Sequence, residues 1–417
     1  MSVVYLLVGS FFSPIIGLGT LLLNIKKTIP SKMTVVLLSW IIAIIGIYWF
    51  PWGDSQSHFY TYSMDFVELY FNYTPSILQS SYWLYDLVIF HIANLMGNYV
   101  YGYMFWLFTP LAIFSLSVWS KFLMYNKDKD DYLLLFILLF VIIGVREFLD
   151  LNRSTSAALF FVSGLILKDK KCYGWILFSL MCVIAFLLHD MVKIFVLLIP
   201  LFCFALKIIK SSRGWIIIAL IALMLSMFIK TNILPHVLSD RNAEMYLDGM
   251  WGTGSGVQSG FMYMCGWLNV ITFLLLYLYI IKNIKNIKNK WLLCLFISSS
   301  IITFACFGLW TIRERFTILN IISGGALLIT EWKNFLPRKL FVAKTVISVS
   351  CLKFVLIMML HYSALFIHRS ASNDPNVSVA ITSRIFYIPT PFLMDVNQFG
   401  YSDKMYNKLY NRANYGG

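Results

Sequence analysis

The sequence predicts an all-α polytopic membrane protein with about twelve transmembrane helices. Hydrophobic residues make up 59% of the 417-residue chain and charged residues only 12%, with a mean hydropathy of +0.76. Soluble domains typically carry about twice that charged fraction. Apolar stretches of about 20 residues, the length that crosses a bilayer as a helix, recur along almost the whole chain. We therefore treat residues 1–417 as a single integral membrane domain.

The apolar stretches place the helices in order along the chain. The first, residues 3–24, lacks a basic start and a small-residue cleavage site, which favours a retained span over a signal peptide. Residues 80–97 predict an amphipathic or re-entrant helix that precedes the third full span. The predicted spans are 3–24, 33–51, 99–121, 132–146, 154–168, 172–189, 191–207, 214–230, 260–282, 291–310, 316–332 and 340–366.

The lysines indicate how these spans are oriented. They cluster in alternate loops, at residues 26–32, 121–129, 168–171, 207–213, 282–290 and 333–339. Cytoplasmic loops carry such an excess of positive charge, so we expect these loops to be cytoplasmic. Both termini, the long loops 52–98 and 231–259, and the tail 367–417 are then external. This distribution accounts for the net charge of +14 without a nucleic-acid partner.

Arginine is favoured over lysine at the predicted outer ends of the spans, until the C-terminal tail. Lysine would be an adequate topological anchor, whereas arginine presents a planar fork that binds phosphate or carboxylate in a bidentate way. These arginines are therefore candidate ligands of an anion: Arg146, Arg153, Arg241, Arg313 and Arg315.

Arg153 opens a span whose first turns, residues 154–158, contain only small side chains that permit close helix packing. A cation at a helix N-terminus opposes the helix dipole. Compensation would come from Glu147, from Asp150 or from an anionic ligand. The alternative is an interfacial anchor whose stem lies in the lipid.

Two short polar segments add candidate chemical groups. In "IAFLLHDMVKIF", His189 can exchange a proton near neutral pH, and Asp190 would orient it or cap the next helix. An ordinary polar turn is the alternative. In "LWTIRERFTIL", Arg313 and Arg315 flank Glu314 in a predicted short outer turn. The three residues would form either an internal ion-pair network or a binding site for an anion.

The outer loop "PWGDSQSHFYTYSMDF" combines carboxylates with aromatic rings, a mixture found in sugar-binding surfaces. Its candidates are Asp54, His58, Tyr60 and Tyr62, although tyrosine is also common at membrane interfaces. The sequence contains no Walker motif, Gly-rich nucleotide loop or HExxH, and its seven cysteines form no CxxC pair. We therefore predict neither a cofactor nor a metal.

The order of these features resembles a known family. Asp54 and Tyr60 follow the second span, Arg153 opens a small-residue span before a lysine-rich turn, His189 ends the next span, and Arg313 comes later. This order is similar to that of the EpsG-like group of bacterial polysaccharide polymerases, which are related to the Wzy O-antigen polymerases. The resemblance covers about residues 50–330.

The resemblance implies a GT-C-like membrane fold and metal-independent glycosyl transfer on the outer face of the bacterial inner membrane. The substrates would be glycan repeat units linked to undecaprenyl diphosphate, and a separate chain-length regulator would be a possible partner. The chain departs from the common family pattern at Met191, two residues after the histidine, and at Phe316. The roles implied are diphosphate binding by Arg153, Arg313, Arg146, Arg315 and Arg241, general base catalysis by His189, Asp54 or Asp190, and glycan binding by His58, Tyr60 and Tyr62.

Two other classes of protein fit parts of the same pattern. A flippase for lipid-linked oligosaccharide also has many spans and a cationic cavity, but we expect its arginines deep within the spans because both sides must reach them. An O-antigen ligase, or another lipid-sugar glycosyltransferase, would share the outer arginines and the histidine.

Overall fold

A computed structural model describes most of the predicted membrane domain. The described residues are 3–24, 31–47, 83–96, 99–126, 130–149, 151–170, 173–237, 247, 252, 260–334 and 344–357. Within these ranges the regular structure is helical and contains no strand. The outer tail 367–417 and most of the outer loops 52–98 and 231–259 lie outside the described residues.

The N-terminal third differs from the prediction at its first span. Residues 3–24 form two helices packed on each other, α1 (Val3–Phe12) and α2 (Pro14–Asn24), instead of one. Pro14 lacks the N–H that would continue the first helix, which explains the break. The segment continues with α3 (Ser31–Ile47), α4 (Trp83–Met96) and α5 (Tyr99–Asn126).

The middle of the chain alternates direction along the bundle. It comprises α6 (Asp130–Ile143), the short α7 (Val145–Leu149), α8 (Asn152–Leu167), α9 (Gly174–Leu188), a 3-10 turn at Asp190–Val192, α10 (Phe195–Ile208) and α11 (Ser212–Met224). After α11 the chain bends by 46° into a short irregular helical stretch that ends near residue 237.

The C-terminal part contains α12 (Gly260–Lys282), α13 (Lys290–Ala305), α14 (Trp310–Thr330) and a last described helix, α15, at residues 344–357. The bounds of α12 agree with the predicted span 260–282. Helix α14 begins six residues before the predicted span 316–332. Arg313 and Arg315 therefore lie on the first turns of a helix, and the expectation that they occupy a turn was wrong.

Three helices form the centre of the described bundle. Most residues of α8, α13 and α14 are buried, as is expected of helices surrounded by other helices. Helix α14 packs on α8, α12 and α13. The packing is close at Gly324, where a Cβ atom would come within 2.8 Å of the Phe296 ring. Small residues permit this approach between helices.

The outer helices expose apolar side chains, as a lipid-facing surface would. On α10, Leu197, Leu201, Phe204 and Ile208 follow helical spacing and are all exposed. Among the described residues, three segments are long and apolar enough to cross a membrane, Gly102–Asn126, Asp190–Ile208 and Tyr263–Lys282. A fourth qualifies if the bent pair after Ser211 counts as one span.

The two ends of the bundle carry different cations. At one end, which we call the lysine end, the predicted basic loops meet: Lys121 pairs with Asp169, and the Lys288 ammonium lies 5.1 Å from the Tyr125 ring centroid. At the opposite end, the arginine end, Arg146 bonds Glu314 and Arg315 contacts His189. The described candidate arginines therefore lie at the end opposite the lysine clusters, and Lys193 and Lys353 are the lysines found with them.

Candidate anion site at the arginine end

His189 occupies the junction between α9 and the following 3-10 turn. Its extended backbone (φ −162°, ψ 134°) ends α9, and its side chain is 5% exposed. The ring Nδ1 accepts a hydrogen bond of 3.1 Å from the Met191 backbone N–H. This bond caps the turn and fixes the orientation of the imidazole.

The second ring nitrogen of His189 faces Arg315, on the first turns of α14. Arg315 Nη1 lies 2.9 Å from His189 Nε2. A guanidinium can only donate, and the Met191 N–H also only donates, whereas a neutral imidazole has one lone pair in its ring plane. The two donors therefore compete for the ring, and neither of them favours a second proton on it.

Charge around the ring has the same effect as these donors. Burial and the positive charges of Arg315, Arg153 and Lys193, in decreasing order, hold the pKa of His189 well below its usual range. The imidazole is therefore neutral at physiological pH, as a general base must be before it takes a proton. Arg153, which also lies 6.0 Å from the Tyr85 ring centroid, is thereby placed near His189.

Asp190, the neighbouring candidate base, belongs to an ion pair of its own. Its carboxylate forms an ion pair with Lys193 one helical turn on, and about half of each side chain is exposed. An exposed pair of this kind contributes little to stability.

Arg313 lies in a separate environment, although it is only two residues from Arg315. Successive helical residues turn by about 100°, so positions two apart point in nearly opposite directions. The Arg313 guanidinium carbon lies 4.6–5.0 Å from the ring centroids of Trp267, Phe307 and Trp310, which we call the aromatic box. Its Nη1 donates to the Phe307 carbonyl at 3.1 Å, and the side chain is 5% exposed.

Glu314, between the two arginines, belongs to a third interaction. It accepts a hydrogen bond of 2.8 Å from Arg146 Nη1, and Arg146 is 2% exposed. This pair links α7 to α14. Of the two arrangements that the sequence left open for residues 313–315, the internal ion pair is present for Glu314, and its partner is Arg146.

A buried polar network lies next to this pair and was not predicted. Lys353 on α15 donates to the carbonyls of Ile142 and Ile143 at 2.9 and 3.0 Å, and to Asn269 Oδ1 at 3.0 Å. Asn269 Nδ2 in turn donates to Glu147 Oε1 at 2.5 Å. The sequence feature that could have indicated this network is the single lysine in the apolar run "CLKFVLIMML". Ionisable groups within spans mark functional or structural sites.

Gly144 makes this network possible. It joins α6 to α7 with φ +101°, a conformation that favours glycine, and a Cβ atom there would overlap the Glu147 carboxylate. The break leaves the last α6 carbonyls without helical partners, and Lys353 bonds two of them.

Positive charge exceeds negative charge in this region. Among the described residues, the arginine end and its adjoining network contain Arg146, Arg153, Arg313, Arg315 and Lys353 against the carboxylates of Glu147 and Glu314, with Asp190 and Lys193 paired separately. Glu147, one of the groups that the sequence offered as compensation for Arg153, bonds Asn269. An excess of guanidinium groups beside a neutral histidine can bind an anion and accept a proton.

The remaining site candidates, Asp54, His58, Tyr60, Tyr62, Asp150 and Arg241, lie outside the described residues. No group of three or more His, Cys, Asp or Glu side chains arranged to hold a metal occurs within the described ranges. Comparison with known proteins finds no matching family model, no matching curated protein and no matching solved structure.

Proposed function

We propose that the protein is a membrane glycosyltransferase that polymerises glycan repeat units linked to undecaprenyl diphosphate, to form O-antigen, capsule or exopolysaccharide. The observation that carries the proposal is the neutral imidazole of His189 in contact with Arg315 and near Arg153, at one end of an apolar helical bundle. A base and anion-binding groups are the two elements that this reaction needs.

The proposed reaction uses these groups in one displacement. The acceptor is a sugar hydroxyl on one lipid-linked unit, and its oxygen attacks the anomeric carbon of the donor glycan. His189 takes the hydroxyl proton as the new C–O bond forms. The anomeric carbon's bond to the diphosphate oxygen breaks, and the electron pair leaves with the diphosphate. Arg153 and Arg315 bind that diphosphate, so the negative charge that develops on it is stabilised.

The contact between Arg315 and His189 would couple donor binding to catalysis. Arg315 faces Nε2, and its charge adds to the effect of burial in lowering the pKa of His189. A diphosphate attracts guanidinium groups more strongly than a neutral imidazole does, because the bonds formed are charge-assisted and bidentate. Donor binding would therefore draw Arg315 away from Nε2 and restore the basicity of the ring. Nε2 would accept the hydroxyl proton in the tautomer that carries its hydrogen on Nδ1, which forms as the bond from the Met191 N–H is given up.

The proposed membrane arrangement follows the two ends of the bundle. We place the lysine end in the cytoplasm of a bacterial inner membrane and the arginine end at its outer face, according to the positive-inside rule. We further propose about twelve spans in a GT-C-like fold, with the outer loops contributing the glycan site through His58, Tyr60 and Tyr62. Asp54 and Asp190 are the rival bases. A separate chain-length regulator would set product length.

The test is the surface polysaccharide ladder of cells that express variants in place of the native protein. Arg153→Ala combined with Arg315→Ala should abolish the ladder and retain the single-unit glycolipid, because losing two charge-assisted contacts lowers the rate about a thousandfold. Arg213→Ala, an exposed arginine at the lysine end, is the matched control. A normal ladder from the double variant would overturn the proposal.

Two other results of the same assay identify the alternative classes. Lipid-linked units trapped on the cytoplasmic side, with loss of the single-unit product, would indicate a flippase. Accumulation of complete polymer on undecaprenyl diphosphate would indicate a ligase. Membrane levels of each variant, measured by immunoblot, distinguish loss of activity from loss of protein.

A further inference from the structure

A second basic site lies at the lysine end, opposite the arginine end. A cavity of about 430 Å³ opens where the C-terminus of α10 meets the loop between α12 and α13. Half of its lining residues are lysines and the others are apolar or sulfur-containing. The residues that line it are Cys203, Leu206, Lys207, Ile209, Lys210, Ile284, Lys285 and Lys290.

Among the described residues, no ion pair joins the four lysines of this cavity to a carboxylate. Two of the carboxylates at this end bond other groups. Asp169 pairs with Lys121, and Glu331 accepts from the backbone N–H groups of Lys288 and Asn289 and from Asn334 Nδ2. The cavity therefore combines a concentrated positive charge with a concave shape.

The chemistry of the lining fits a phosphate group carried on an apolar body. Lysine ammonium groups bind phosphate as point charges. Leu206, Ile209 and Ile284 provide apolar walls beside them. Basic pockets between helices at this level of a bilayer suit anionic lipid head groups.

The position of the cavity favours a lipid over a free anion. It lies at the end of Asp190–Ile208, a segment apolar and long enough to cross a membrane, so it falls at the level of the lipid head groups. Ile208, beside the cavity, is 66% exposed and extends the apolar surface toward the bilayer. We propose that this cavity binds the phosphate of an anionic phospholipid, independently of the glycosyl transfer proposed above.

The experiment compares two pairs of lysines in the same region of the chain. Lys207→Gln with Lys285→Gln removes two cavity charges, whereas Lys282→Gln with Lys288→Gln removes two nearby charges that do not line the cavity. The full chain, purified in a neutral detergent, is titrated with phosphatidylglycerol, phosphatidylcholine or inorganic phosphate at constant ionic strength. Binding is followed by melting temperature and by native mass spectrometry.

We expect phosphatidylglycerol to raise the melting temperature of the native chain, and the cavity pair to bind it roughly thirtyfold more weakly. The control pair should bind like the native chain, and Lys207→Arg with Lys285→Arg should retain binding because the charge is kept. Equal loss in both glutamine pairs would overturn the site, since general surface charge would then explain the binding. An equal effect of phosphatidylcholine or inorganic phosphate would overturn the anionic lipid as the ligand.

Discussion

The Arg315 guanidinium lies 2.9 Å from Nε2 of His189, whose Nδ1 accepts a hydrogen bond from the Met191 backbone N–H. The two residues come from helices far apart in the chain, and both are largely buried from solvent at the same end of the bundle. Their contact places a cation where a proton acceptor would act. An anion that bound Arg315 would therefore change the basicity of His189.

The first prediction concerns pH. Because the native state lowers the pKa of His189, the unfolded chain binds more protons below about pH 6.5, and stability should rise with pH through that window. The contribution is fully present above the unfolded pKa and is lost as the pH falls toward the folded one. We expect the melting temperature in detergent to fall between pH 7.5 and 5.5.

His189→Gln should flatten this pH dependence, since glutamine cannot take a proton in that range. His236→Gln, at an exposed histidine, is the control and should leave the pH dependence unchanged. An unaltered slope in His189→Gln would show that another group is responsible.

The second prediction separates charge from geometry at Arg315. Arg315→Lys keeps the positive charge and loses the planar fork, so a bidentate grip on diphosphate should fail while insertion into the membrane stays normal. We expect at least about a tenfold loss of polysaccharide ladder at equal membrane levels, which corresponds to one lost charge-assisted contact. Arg213→Lys should have no effect, and full activity of Arg315→Lys would assign the residue an anchoring role.

The third prediction concerns Arg313 in the aromatic box. Its guanidinium stacks among Trp267, Phe307 and Trp310, and lysine has no planar group to replace that contact. We expect Arg313→Lys to lower stability by about 1–2 kcal/mol, the range for a desolvated cation–π contact. The ladder produced per molecule should be retained. A selective loss of ladder at native stability would instead place Arg313 in the anion site.

At the arginine end, the sequence predicted which residues carry the chemistry but not which of them are in contact. Residue type, and the preference for arginine over lysine at the predicted outer ends, identified Arg153, His189 and Arg315. Which arginine meets His189 depends on the rotation of α14 about its axis, and that rotation is set by its packing on α8, α12 and α13. Such tertiary information is not contained in a local spacing of two residues.

The buried network shows a different limit. Hydropathy treated residues 340–366 as one apolar run, so the charge of Lys353 was averaged into it. Its partners Asn269 and Glu147 are 84 and more than 200 residues away in the chain, and only the fold brings them together. The break at Gly144 likewise divides α6 from α7, where hydropathy predicted a continuous span over 132–146.

The fourth prediction tests that network. Lys353→Met removes the cation that bonds two α6 carbonyls and Asn269, and it leaves Glu147 buried without a compensating charge. Breaking a buried charged pair from one side costs about 3–5 kcal/mol, so the melting temperature should drop strongly. Lys344→Met, at an exposed lysine on the same helix, is the control.

A second variant distinguishes charge from packing in the same network. Adding Glu147→Gln to Lys353→Met removes the stranded carboxylate, so part of the lost stability should return. If the double variant is as unstable as the sum of the two single variants, the groups do not interact energetically and the network has no coupled role.

The fifth prediction concerns orientation. The lysine end and the arginine end should lie on opposite sides of the membrane, with the lysine end in the cytoplasm. Exposed positions report on each: Asn286 in the lysine-rich loop, and Lys193 in the turn after His189. In a background without the seven native cysteines, a membrane-impermeant maleimide applied to intact cells should label Lys193→Cys and leave Asn286→Cys unlabelled. After the membrane is opened, both should react.

Labelling of Asn286→Cys alone would invert the orientation and place the arginine end in the cytoplasm, where transfer on the outer face could not occur. Labelling of both in intact cells would show that the two ends are not separated by a bilayer.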